Sequence, residues 1–257
     1  MINTLSKALI LCLISFPLYS FSQEPMKIEK SQAKTQGFLY GLGISVNQEI
    51  YKGYSTRTMP LPMVGYKSEN LSVFGPFVTY KLKEINSFTV SAKLSPRFQG
   101  FDESDSAIFE GMEKRKISID AGISIDYKKN DWKVGFTSMF DALSRSNGYE
   151  IKSSVGRVFR YGPVFFEPSI SFSYLDDHHV DYYYGVSTDE INQDRVAHSG
   201  DSAINKSLGL SIATPILFGG YTRLNVEYTW YDETITNSPL VDKNTSLSLL
   251  LVFTKNF

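Results

Sequence analysis

The sequence predicts an all-β fold: a transmembrane antiparallel up-and-down β-barrel of about twelve strands, with ten or fourteen as the neighbouring counts. Three observations predict it. Apolar and polar residues alternate through many segments of ten residues or so, aromatic rings gather near the ends of those segments, and the last such segment finishes on Phe257. Strands of soluble sheets run to about five or six residues, whereas crossing a bilayer at a tilt takes about nine to eleven.

Composition sets the frame. At 257 residues and 42% hydrophobic, the chain can fill one domain of an all-β or barrel type. Lys and Arg number 26 against 27 Asp and Glu, a net charge of -1, so no basic footprint for nucleic acid is present. The first 22 residues read as an export signal, with Lys7 as the positive n-region and "ALILCLISFPLYSF" (8–21) as a core too short to span a membrane. Ser20 and Ser22 fit the small positions of a cleavage site, giving a mature start at Gln23. Cys12, the single cysteine, falls inside the signal, and "LILC" lacks the small residue that precedes a lipidated cysteine. The mature chain then has no thiol for disulfides, metal or nucleophilic catalysis. Residues 23–36, "QEPMKIEKSQAKTQ", are polar and aperiodic and read as a flexible periplasmic leader, leaving 37–257 for the barrel.

The strands follow in order. "FLYGLGISVN" (38–47) opens the series, and "SFTVSAKLSPRF" sets Phe88, Val90, Ala92, Leu94, Pro96 and Phe98 against Thr89, Ser91, Lys93, Ser95 and Arg97. In "KISIDAGISIDYK" every odd position from Ile117 to Tyr127 is apolar and every even one is Ser, Asp or Gly. The same period fits 131–143, 162–174, 203–214, 221–230 and the final "SLSLLLVFTKNF", where Leu247, Leu249, Leu251 and Phe253 share one face. The polar faces carry Ser, Gly, Thr and mixed charge, as a wet lumen would, so the apolar faces turn outward to lipid. Reversing the 88–98 strand would put Lys93 into hydrocarbon at roughly 2–4 kcal/mol. Tyr127 with Trp132, and Tyr228 with Trp230, sit where rings meet head groups. Arg223 and Glu227, on one polar face, are expected to take part in lumen pairing.

Connections set the count. Short ones lie near 67–69, 83–87, 128–131, 160–162 and 215–219, and long ones at 48–57, 99–115, 176–202 and 233–243. They alternate properly only if "LSVFGPFVTYKL" (71–82) is a hairpin broken at Gly75-Pro76. That gives twelve strands, with both ends in the periplasm, and the last strand closing against the first.

Several stretches, in order, carry a family resemblance: "YGLGISVNQEIYKGY" (40–54), "MPLPMVGYKSENLSVFG" (59–75), "YYGVSTDE" (183–190), "SPLVDKNTSLSLLLVF" (238–253) and the terminal Phe257. Through them the chain resembles the MipA/OmpV family of outer-membrane proteins. The resemblance implies an exported outer-membrane barrel. It also implies, for one branch, a scaffold that brings a lytic transglycosylase and a peptidoglycan synthase together, and for others a link to adhesion or envelope stress.

Chemistry is sparse. His178, His179 and His198 all fall in the 176–202 loop, where Asp176, Asp177 and Asp181 stand close in sequence, but the spacing matches no metal motif. A mobile, solvated loop is the expectation there, with no metal and no cofactor. No His lies on a strand to serve a serine nucleophile, and neither GxxxxGK[ST] nor HExxH occurs, so no catalytic residue is assigned. Tyr182 to Tyr184 read as a recognition surface or as rings where a strand leaves the membrane. Asp102, Glu103, Asp105 and Glu110 read as solvated loop charge, or as a cation bridge to lipopolysaccharide. The expectation is a monomeric, non-enzymatic scaffold or envelope-interaction barrel surrounded by outer-membrane lipid and lipopolysaccharide. A small-solute channel and a loop-borne adhesin are the alternatives.

Overall fold

A computed structural model describes residues 36–215 and 217–257. The expected signal peptide, 1–22, and the leader as far as residue 35 lie outside them. Thirteen strands follow in order: β1 (Gly37–Gln48), β2 (Thr56–Lys67), β3 (Leu71–Phe74), β4 (Phe77–Ile85), β5 (Phe88–Arg97), β6 (Ser118–Lys129), β7 (Trp132–Asp141), β8 (Tyr149–Arg157), β9 (Phe159–Tyr161), β10 (Val164–Leu175), β11 (Ala203–Thr214), β12 (Tyr221–Trp230) and β13 (Thr245–Asn256). β8 and β9 both pair with β10 and are two pieces of one wall strand, so the wall has twelve positions. All neighbours are antiparallel. β13 closes on β1 from Leu39 opposite Asn256 to Asn47 opposite Ser248. Among the described residues no helix is long and apolar enough to cross a membrane.

The turns at one end are tight because their residues accept left-handed backbone. Asn86 (φ 54°), Asn130 (φ 50°) and Asp131 (φ 66°) turn β4 into β5 and β6 into β7. Gly75 (φ 56°) makes the β3–β4 hairpin foreseen at Gly75-Pro76. The seam is close: a Cβ at Gly41 would meet the Phe253 carbonyl at 2.1 Å, so β13 can lie against β1 only with glycine there.

Alternation runs as expected on the outer face. Leu42 and Val64 are each 68% exposed, and the outward rows continue with Ile123, Phe136, Ile170 and Leu208. Rings gird the short-turn end, where Phe38 meets Tyr66 at 5.1 Å, Tyr40 meets Phe257 at 4.9 Å and Phe88 meets Tyr127 at 4.8 Å. Tyr228 and Trp230, at 4.7 Å, mark the other end. Phe257 is held by a bond from its N–H to the Phe38 carbonyl at 3.2 Å.

The inner face is not uniform. From β5 to β12 it is built mainly of Ser, Thr, Gly, Asn and charged residues, interrupted by Met139, Phe165, Leu175, Ala203 and Ala213. On β13, β1, β2 and β3, however, Leu250, Val252, Leu39, Met59, Leu61 and Phe74 share the inward parity of Ser248, Gly43, Met63 and Gly65. A wholly polar lumen is therefore corrected to one with an apolar sector. Leu250 and Val252 break the alternation of "SLSLLLVF", and "MPLPMV" alternates large apolar residues with proline, so both faces of those strands are apolar.

Orientation is testable at mid-strand. Ile123→Arg, at the centre of the outward row of β6, should lower unfolding stability in lipid vesicles by about 2–4 kcal/mol, read from the shift of the urea transition.

Candidate functional site

The long loops do not wave in solvent. They fold over the barrel mouth and form a hydrophobic core: Ile50, Tyr51, Phe101, Phe109, Val180, Tyr183, Tyr184, Ile235, Leu240 and Val241, with their neighbours. The 176–202 segment, expected to be mobile, opens with a helix, α1 (Asp177–Tyr184), and 231–244 holds a short one, α2 (Glu233–Thr236). Asp176 starts α1 as N-cap, accepting from His179 N at 3.1 Å, and its Oδ1 also accepts from Tyr149 N at 2.9 Å. With α1 so fixed, Val180 and Tyr183 point inward and are fully buried.

Tyr51 stands at the centre of the cap. Its hydroxyl donates to the Tyr183 carbonyl at 3.0 Å, and its ring meets Phe101, Phe109 and Tyr184 at 5.4, 5.4 and 5.6 Å. Arginines fasten one loop to another. Buried Arg195 donates to the carbonyls of Glu190 (2.7 Å), Glu110 (3.2 Å) and Ile108. Arg115 donates to the Tyr182 carbonyl at 2.7 Å and pairs with Glu190 at 2.8 Å.

Beneath the cap is a cavity of about 380 Å³, lined among others by Arg97, Glu150, Lys152, Ser207, Glu227 and Tyr231. Its charges are paired across strands. Arg97 Nε donates to Asp120 at 2.7 Å while Nη2 reaches Glu150 at 2.9 Å, and Lys152 meets Glu227 at 3.0 Å. Lys133 and Glu167 pair lower down. The expectation for Arg223 and Glu227 is met only in part. Both face the lumen, but Glu227 takes Lys152, and Arg223 lies over the Tyr221 ring at 5.9 Å. Residues four apart on a strand are about 13 Å apart, too far for a direct pair.

The sequence-highlighted residues divide clearly. His179 is buried, its Nε2 3.3 Å from the Gln99 amide oxygen, while Gln99 donates to the Tyr184 hydroxyl at 2.8 Å. Burial, and then the nearby Arg97 charge, hold His179 down at about 3. His198 lies 3.3 Å from the Thr234 carbonyl, and His178 is exposed beside Asp177. Asp176, Asp177 and His178 bring ligand atoms within 4.8 Å of one another, yet Asp176 is engaged in capping α1, and Asp181 accepts from Gly200 N at 3.0 Å. Tyr183 and Tyr184 are core residues of the cap, which corrects their reading as a girdle or an open recognition surface, and the Tyr182 hydroxyl accepts from Lys116 N at 2.9 Å. Asp102 and Asp105 cap a 3-10 turn, with Asp102 also 2.7 Å from Lys114, while Glu103 and Glu110 are exposed. Asp120, Glu150 and Lys152 carry no distinguishing signal in the sequence, because their partners lie on other strands. Only the register brings Glu150 to Arg97.

Two outcomes follow from these contacts. Arg97→Ala leaves Asp120 and Glu150 facing each other in a half-enclosed site, and should destabilise the folded barrel by about 3–5 kcal/mol in urea titrations, with Arg97→Lys recovering part. His179 binds its proton less readily folded than unfolded, so cap stability is complete above its ordinary value of 6.5 and falls as pH drops from there toward 3. Arg97, Glu150 and Asp141 are the charges around it. Protease cleavage within 176–202 should accelerate between neutral pH and about pH 5, and His179→Gln should flatten that dependence.

Comparison with known proteins agrees with this architecture. Residues 40–257 match the family model described as MltA-interacting protein MipA. The chain is 27% identical to the outer membrane protein YiaT of Escherichia coli strain K12 over 214 residues, 82% of this chain and 87% of that one. It is 26% identical to the MltA-interacting protein of the same strain over 212 residues, covering 80% and 85%. Outer membrane protein OmpV of Vibrio cholerae serotype O1 is 26% identical over 142 residues, 55% of each chain. With the family model covering nearly all of the twelve-position barrel, this chain belongs to the MipA family and is an outer-membrane β-barrel protein.

Proposed function

We propose that the protein is a non-enzymatic scaffold of the outer membrane, holding a lytic transglycosylase, and with it a peptidoglycan synthase, at the periplasmic face. The observation that carries this reading is the cap: the external mouth is filled by a hydrophobic core centred on Tyr51 and Tyr183, an arrangement suited to a fixed platform rather than to steady solute flow. The name of the MltA-interacting relative supplies the class of partner. The contact surfaces are the tight turns at Asn86 and Asn130-Asp131 together with the 23–36 leader. The histidines fit a structural role. His178 contacts Asp176 and Asp177, His179 contacts Gln99 and the Tyr183 ring, and His198 contacts the Thr234 carbonyl, contacts that suit structural roles in the cap.

A small-solute channel is the competing reading, favoured by the polar cavity beneath the cap. Purified protein in planar bilayers should give no steady conductance, and should retain a purified lytic transglycosylase from the same envelope in a pull-down. A stable open state, together with no retention of the enzyme, would replace the scaffold by the channel.

A further inference from the structure

The barrel wall has a gap on one side. β3 is four residues long, and the last bond β2 receives on that side comes from Gly75 N to the Val64 carbonyl, at 3.1 Å. Above this point β2 continues from Val64 to Thr56, paired with β1 throughout but with no described strand on its other side. Across the gap, β4 last pairs with β5 at Val78 opposite Leu94, and Ser95 to Arg97 go on upward paired with β6 alone. The Gly75-Pro76 tip is the floor. Arg57 closes the top by donating to the carbonyls of Phe98 and Gly100. Along β2 the opening stands roughly 20 Å tall at the usual rise per residue.

The sequence keeps this gap from being filled by another strand. Val64 turns its carbonyl toward the gap, and residues two apart in a strand share that direction, so the peptide groups of Pro62 and Pro60 face it too. Neither has an N–H, and this edge therefore lacks donors that an added strand needs. Pro96 stands on the opposite edge. The residues paired with these prolines, Leu42 and Ile44 on β1 and Ile119 on β6, are exposed and apolar, which places the opening inside the lipid-facing band. Bare carbonyls are tolerated at that depth only where they border water or protein, and along the far edge Phe77 at the floor and Phe98 at the top bring their rings to 6.5 Å of one another. Directly behind it lies the apolar sector of the inner wall, where Met59 and Leu61 point inward half-buried and Met63 is buried, in a barrel whose other walls carry mostly small polar residues and ion pairs.

We propose that this gap is a lateral binding site for one acyl chain of an outer-membrane lipid, entering between β2 and β5 and lying on the half-buried Met59 and Leu61. The bilayer is the phase in contact with the opening, the prolines discourage a peptide strand, and unbranched methionine side chains adapt to a flexible chain. The site is independent of the scaffold reading.

The test uses the full mature chain in phospholipid vesicles doped with a phospholipid that carries a photoreactive diazirine midway along one acyl chain. After irradiation, peptide mapping should find adducts on inward-facing Met59 or Leu61 as well as on outward Leu42 and Ile44. Adducts confined to outward residues would overturn the proposal. So would labelling of Leu61 by a diazirine fatty acid supplied from water when the phospholipid gives none. Leu61→Trp, with folding verified by heat-modifiable gel migration, should lose the inward adducts and keep the outward ones. Inward adducts that persist unchanged in that variant would also count against the site. The wild-type map decides the question even if the variant does not fold.

Discussion

Every backbone N–H and C=O that lies in hydrocarbon needs a partner, and the remaining features of this molecule are arranged around that demand. Strands meet it by pairing on both sides, which requires the sheet to close, and closure here depends on β13 lying against β1 past Gly41. Closure forces the residue parity: one set of side chains faces lipid and the other is enclosed. Lys93, Arg97 and Asp120 are tolerable because they fall in the enclosed set. The departures from full pairing carry the most information. Where β2 outruns β3, the chain places prolines on the free edge, removing donors that would otherwise stand bare.

Enclosure creates a second problem, because charges inside a narrow lumen lose much of their hydration. They answer it by crossing the lumen to one another, Arg97 to Asp120 and Glu150, and Lys152 to Glu227. One of the contacts by which the cap rests on the barrel is made by a histidine. His179 reaches down from α1 to Gln99 and lies close enough to Arg97 to feel its charge, so an uncharged imidazole is part of the fit between cap and barrel.

Much of the wall was legible in the sequence because it is written locally. The period of two, the Gly75-Pro76 break and the ring positions each need only neighbouring residues, and the strand count followed from them. The cap was not legible, because its bonds join residues far apart. Arg195 binds Ile108 and Glu110 across more than eighty positions, and Tyr51 reaches Tyr183 across 132. Nothing in "LDDHHVDYYYG" separates a buried helix from a mobile loop until α1 is seen against Tyr51. The apolar sector was half legible. Leu250, Val252, Met59 and Leu61 make both faces of their strands apolar, a pattern that alternation-counting assigns to one side only.

The loop fastenings share a chemical peculiarity. Arg195 binds the carbonyls of residues 108, 110 and 190, Arg57 those of 98 and 100, and Arg115 that of 182. A carbonyl is the same whatever side chain sits beside it, so exposed positions such as Glu110 can change identity freely while the knot stays tied. A single inserted or deleted residue would instead shift every oxygen out of reach. The outward surface of this protein is therefore free to vary its letters and constrained to preserve its spacing, so a lineage under pressure to alter its exterior would do so by exchange rather than by indel.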